Sequence, residues 1–160
     1  MYPFKIGVIP ESFRVERFAS LEKAASIGAA GVQVYATRDD FCAEKLTAAQ
    51  KSAFLEKLNS LGLVVSALCG DFGKGFADPA SNQIYVERSK RVLDLALEFG
   101  TDIVTTHIGT VPDDPASDTY KIMQEACGEL AAYADSLKAH FAVETGPEKA
   151  VVLKLSLIHI

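Results

Sequence analysis

Phe99-Gly100-Thr101-Asp102-Ile103-Val104-Thr105-Thr106-His107 decides the fold. From Ile84 to Phe99 the pattern is helical, with Val92, Leu93, Leu95, Ala96 and Leu97 as core candidates and Gly100 as the cap. Ile103 to His107 is then a strand, rich in β-branched residues. A strand that starts this soon after a helix belongs to a crossover unit, because the helix must lay its apolar stripe on the sheet it has just left. Two earlier phrases repeat the pattern. Ile27-Gly28-Ala29-Ala30-Gly31 leads into Val32–Tyr35, and Leu61-Gly62 leads into Leu63–Leu68.

Outward from this repeat, the N-terminal run Lys5 to Ile9 is a first strand closed by Pro10. The helix after it carries Phe18, Leu21, Ala24, Ala25 and Ile27 at helical spacing. Thr47 and Gln50 form a capping box that opens the next helix, whose apolar face is Phe54, Leu55, Leu58 and Leu61. Toward the C-terminus, a polar loop over residues 70–82 precedes the Ile84–Phe99 helix, and a further helix runs from Asp118 to about Ala139. Phe141-Ala142-Val143 is the last strand, ended by Glu144-Thr145-Gly146-Pro147-Glu148. Strand starts near 5, 32, 63, 103 and 141 give an α/β chain of five parallel strands and four helices in one domain. That number suits either an open sheet or the front of a (β/α)₈ barrel, which needs roughly 250 residues. No Gly-rich phosphate cradle follows the first strand, where Ile9-Pro10-Glu11-Ser12 stands.

With 160 residues, 49% of them hydrophobic, the chain is long enough to bury one substantial core. Its net charge of −5 has no basic stripe, which disfavours nucleic acid as a partner. Cys42, Cys69 and Cys127 show no metal or disulfide spacing and are expected to be free thiols of a cytoplasmic protein. No apolar run approaches a membrane span. Lys149 to Lys154 has the look of a starting helix, whereas Leu155-Ser156-Leu157-Ile158-His159-Ile160 is nearly uncharged and abrupt. Residues 1–154 are therefore taken as the folded portion, and 155–160 as a non-native tail.

Glu144 is delivered to the C-terminal mouth of a parallel strand, the edge where such folds gather ligands. A carboxylate there serves either as a metal ligand or proton acceptor, or as an ordinary solvated loop side chain. His107 ends the preceding strand and is either a pocket residue or a histidine satisfied by backbone. Glu11, Tyr35, Asp71 and Phe72 follow strands one to three and are candidates for shaping a pocket or are plain loop residues. His140 precedes its strand, at the opposite end, and reads as structural.

Taken together, Lys5-Ile6-Gly7-Val8-Ile9, Gly31-Val32-Gln33-Val34-Tyr35, Ser66-Ala67-Leu68-Cys69-Gly70-Asp71, Val104-Thr105-Thr106-His107-Ile108-Gly109 and Val143-Glu144-Thr145-Gly146-Pro147-Glu148 resemble the N-terminal part of the sugar phosphate isomerase/epimerase family, the xylose isomerase-like TIM barrels. The resemblance implies a truncated (β/α)₈ barrel. It also implies a divalent metal (Mn²⁺, Mg²⁺, Co²⁺ or Zn²⁺) held in part by Glu144, which doubles as acid/base, with His107 as a second catalytic-site residue that contacts substrate or, in some members, the metal. The chemistry implied is proton abstraction beside a carbonyl of a sugar or sugar phosphate, the ion stabilising the enediolate. The remaining ligands of that family follow strands six to eight, beyond this sequence. Its endonuclease IV-like branch, a metal-dependent phosphoesterase, adds a histidine near strands two and three, where Tyr35 and Cys69-Gly70-Asp71 stand here. A different class of reading is a non-catalytic half barrel that pairs with a second copy of itself through exposed edge strands.

Overall fold

A computed structural model describes residues 4–38, 40–144 and 146–157. Five strands, β1 (Gly7–Val8), β2 (Gly31–Tyr35), β5 (Val64–Cys69), β6 (Ile103–His107) and β7 (His140–Glu144), form one sheet in the order β1-β2-β5-β6-β7. Every neighbouring pair is parallel. Between β2 and β5 lies a short antiparallel hairpin, β3 (Thr37–Arg38) with β4 (Phe41–Cys42), which sequence periodicity does not reveal because each arm is two residues long. The helices are α1 (Arg17–Ser26), α2 (Ala48–Ser60), α3 (Asn82–Glu98), α4 (Asp118–Leu137) and α5 (Ala150–Leu157), with a 3₁₀ turn at Pro10–Phe13.

Where four helices were expected, the described residues form five. α5 runs across the expected boundary at residue 154, with Leu153 and Ser156 both buried. Residues 155–157 are helical, while 158–160 of the expected tail lie outside the described residues.

Local chemistry accounts for the helix ends. Gln50 N–H donates to Thr47 Oγ1, and Thr47 N–H donates to Gln50 Oε1, so two otherwise orphaned amides are satisfied reciprocally. Gly100 takes φ +76 where a side chain would be strained. The core lies between the sheet and its helices. Phe54 of α2, Phe41 of the hairpin and Phe99 after α3 pack with ring centroids 4.8–5.8 Å apart. Leu97, expected to be core, is exposed instead, as are Phe18 in the first turn of α1 and Ile27, the residue that caps that helix. Leu21 and Ala24 of α1 are the residues wholly buried there.

One irregularity in β5 sets the facing of that strand's last residues. Val32 pairs with Val65, but Gln33 pairs with Ala67, so Ser66 is an extra residue on β5. A bulge of one residue reverses the facing of everything after it. Leu68 consequently joins the buried core on the helix side. Cys69, opposite Tyr35 and Thr105, turns to the other, concave face of the sheet.

Among the described residues no helix is long and apolar enough to cross a membrane. The three cysteines are free and buried.

Candidate functional site

β6 and β7 end level with each other. His107 is in register with Glu144, and the two side chains meet, Nε2 to Oε2, at 3.2 Å. Because the strands are parallel and adjacent, the pairing follows from the backbone register and not from chance rotamers. Both side chains are about half exposed at the C-terminal rim.

Asp71 reaches the same imidazole from the loop after β5, its Oδ2 standing 3.3 Å from Nδ1. The loop is held for this. Gly73 N–H donates to Asp71 Oδ1 at 2.6 Å, and Thr37 Oγ1 donates to the Asp71 carbonyl at 2.7 Å. Further along, Phe76 N–H donates to the Ile108 carbonyl at 2.9 Å, tying the β5 loop to the β6 loop. Gly75 makes that approach with φ +62, at a distance where any side chain would strike Ile108 and Gly109.

Burial pushes the Cys69 thiol above its ordinary range. The Asp71 and Glu144 charges add to the rise, against a backbone hydrogen bond at Asp71 and the Arg38 guanidinium. Cys69 therefore stays a neutral thiol beside two carboxylates. Beneath this rim Gln33 Nε2 donates to Thr105 Oγ1 at 2.9 Å, a bond that passes across β5 where the small Ala67 leaves room. The concave face thus presents amide, hydroxyl, imidazole and carboxylate, an inventory suited to a polyhydroxylated ligand.

The other expected residues divide. Glu11, in the 3₁₀ turn, accepts the Tyr35 N–H at 3.2 Å through Oε1, so it braces the end of β2. The Tyr35 ring carries the Arg38 guanidinium 3.8 Å above it. Phe72 packs against Tyr85, at 5.5 Å, and under Arg88, at 4.1 Å, both on α3. Both of these ring partners are on that helix. His140 lies at the opposite end of β7, its Nε2 3.6 Å from Asp102. Thr145, within the strand-exit phrase, lies outside the described residues.

Sequence reading passed over Gln33, Thr105 and Arg38. The signal available for the first two was polar residues inside strands, uncommon where both faces are buried. Arg38 sits on the hairpin that periodicity could not show.

A groove of about 380 Å³ lies elsewhere, outside the sheet, between Arg17 and Phe18 of α1, the hairpin and α2. None of the strand-end residues lines it.

The sequence matches the model of the xylose isomerase-like TIM barrel family over residues 21–154. The chain belongs to that family. No curated protein matches it. Among solved structures, a xylose isomerase domain protein from Planctomyces limnophilus is 23% identical with a TM-score of 0.81, covering 99% of this chain and 60% of that one. A xylose isomerase-like TIM barrel protein from Mycobacterium smegmatis, in complex with magnesium, is 18% identical with a TM-score of 0.68, covering 91% and 57%. A sugar phosphate isomerase/epimerase from Parabacteroides distasonis is 12% identical with a TM-score of 0.66, covering 99% and 62%. An AP endonuclease, family 2, from Brucella melitensis has the same fold at 15% identity and a TM-score of 0.62, covering 89% and 55%, so the fold alone does not choose between these chemistries. The present chain spans about 60% of the length of the Planctomyces protein.

Proposed function

We propose that the chain is the N-terminal part of a divalent-metal-dependent sugar or sugar-phosphate isomerase/epimerase, acting by proton abstraction beside a carbonyl. The observation that carries this is the contact of His107 with Glu144 at the ends of two adjacent parallel strands, over a concave face lined by Gln33 and Thr105.

In this reading Glu144 is one metal ligand and takes or returns the substrate proton, since its side chain at the end of β7 is about half exposed. His107 orients a substrate hydroxyl. Gln33 and Thr105 offer further hydrogen bonds from below, and Tyr35 and Arg38 bound the pocket on the β2 side. Among the described residues no group of three or more His, Cys, Asp or Glu is arranged to hold a metal ion. Glu144 fits as a single hard oxygen donor, with Asp71 engaged by His107 and Gly73 and so occupied as a bracing group. When bound, the metal supplies Lewis-acid polarisation of a substrate oxygen.

Nucleic acid is disfavoured as substrate by the net charge of −5 and by Tyr35 and Cys69-Gly70-Asp71 standing where the endonuclease IV-like branch adds a histidine. A cytoplasmic location suits the three free cysteines.

The test is titration of the 160-residue chain with Mn²⁺. Saturable binding that is lost in Glu144→Gln and kept in Glu11→Gln supports the assignment. Equal binding by wild type and Glu144→Gln removes Glu144 from the metal site, and no binding by wild type leaves a scaffold. With one or two donors in place, no turnover of a ketose is expected from this chain.

A further inference from the structure

Arg38 ends the first arm of the hairpin and is exposed beyond the C-terminal end of β2. Val32 and Val34 of β2 belong to the helix-side core, so Tyr35 faces the concave side, level with Cys69 and, across it, Thr105. The Arg38 guanidinium carbon stands 3.8 Å from the centroid of the Tyr35 ring. At this stacking distance the ring fixes the cation, while the N–H donors, which lie in the guanidinium plane, stay free to bond elsewhere.

Three arginines stack on rings among the described residues, and Arg38 differs from the other two. Arg17, over Phe41, is paired with Asp40, and Arg88, over Phe72, is paired with Glu44. Arg38 forms no hydrogen bond or ion pair among the described residues. Neighbouring carboxylates are committed to backbone amides instead, Glu11 Oε1 to Tyr35 N–H and Asp71 Oδ1 to Gly73 N–H. Thr37 Oγ1 donates to the Asp71 carbonyl and ties the hairpin to the loop after β5. That loop carries Lys74, exposed and without an ion pair among the described residues, a second cation at the same end of the sheet. The Arg38 charge is felt on the concave face, where burial raises the Cys69 thiol and Arg38 opposes the rise.

We propose that Arg38 is a specificity-determining residue that receives the oxyanion of an acidic sugar, a terminal phosphate or a carboxylate, at the β2 side of the concave face. A guanidinium gives such a group two parallel N–H donors, a fork that the hydroxyl of a neutral sugar does not match. Glu144 lies three strands away, about 14 Å along the sheet. Both side chains reach inward from there, which leaves room for one sugar with its carbonyl end at Glu144 and its acidic end at Arg38. The sugar in this inference rests on the isomerase/epimerase reading, whereas the anion contact is measured without metal.

The test is ¹H–¹⁵N NMR of the labelled 160-residue chain in EDTA at constant ionic strength. It is titrated with inorganic phosphate, ribulose 5-phosphate, gluconate and, as the neutral control, ribulose. We expect the Arg38 side-chain signal, assigned by its loss in Arg38→Gln, and the Tyr35 amide to shift together and saturably with phosphate. An acidic sugar should bind about tenfold more tightly than ribulose, and the advantage should vanish in Arg38→Gln. Lys23→Gln removes a cation 5.3 Å above the Phe13 ring, on α1, and should bind as wild type does. Preference for ribulose 5-phosphate over gluconate assigns the oxyanion as phosphate, and the reverse assigns it as carboxylate. Equal binding of ribulose and both acidic sugars overturns the proposal, as does a Tyr35 response to phosphate that survives Arg38→Gln. If Mn²⁺ binding is absent while the anion response is kept, the isomerase reading fails and the anion contact stands.

Discussion

Gly75 lies so close to the main chain after β6 that a Cβ on it would meet the Ile108 carbonyl oxygen at 2.5 Å. This contact, with the Phe76 to Ile108 hydrogen bond, fastens the loop that carries Asp71 over His107. Gly73, two residues earlier, has a similar φ of +71, but nothing lies within 4 Å of where its Cβ would stand. Gly75→Ala should therefore cost more than Gly73→Ala. Strain at φ > 0 alone is about 1 kcal/mol, and the added backbone clash brings Gly75→Ala to about 3 kcal/mol. Urea unfolding of the two variants checks the order, and equal losses would mean that the loop simply lifts away.

Phe54 is 1% exposed and touches both Phe41 and Phe99, whereas Phe18 is 39% exposed. Phe54→Ala should destabilise by about 3–5 kcal/mol through lost transfer energy and a cavity. Phe18→Ala should cost less, about 1–2 kcal/mol for the covered part of the ring. Denaturant midpoints measured side by side test the contrast, with the loss at Phe18 as the discriminating value.

Burial pushes the Cys127 thiol up to about 12. At pH 8 the native thiolate fraction is then about 10⁻⁴, and alkylation should be far slower than after unfolding in guanidinium. The sign for stability follows from a folded value above the unfolded one. The contribution is intact below about pH 9 and is lost as pH rises toward 12, since the unfolded chain gives up the proton first. Cys127→Ala should flatten the alkaline limb of a stability–pH curve measured by urea unfolding, and an unaltered limb would contradict the assignment.

Thr47→Ala removes the hydroxyl that accepts from Gln50 N–H and donates to Gln50 Oε1, while the backbone N–H of residue 47 still donates to Gln50 Oε1. A loss of about 1 kcal/mol is expected, with Thr47→Ser recovering most of it. Thermal unfolding of the pair measures this. If serine does no better than alanine, the hydroxyl bond is not the source.

The repeat of glycine-capped helices running into β-branched strands was legible because it is local. Gly100 and Gly62 end helices, both with positive φ, and the strands start at Gly31, Val64, Ile103 and His140, within a residue of where the pattern places them. Glu144 and His107 were legible for the same reason, as the last residues of strands whose length the sequence shows. Phe72 was ambiguous because a loop residue's direction depends on what it finds to pack on. It found Tyr85 and Arg88.

By itself the sequence determined the five parallel strands, the four helices between them and the acidic and imidazole side chains at the strand ends, since periodicity and caps act over a few residues. Tertiary structure alone decided that Ser66 bulges, that Leu68 turns to the helices and Cys69 to the concave face, and that Asp71 reaches His107. The physical reason is that facing along a strand is a matter of register against a neighbour, and one inserted residue, invisible in the alternation of β5 itself, inverts it.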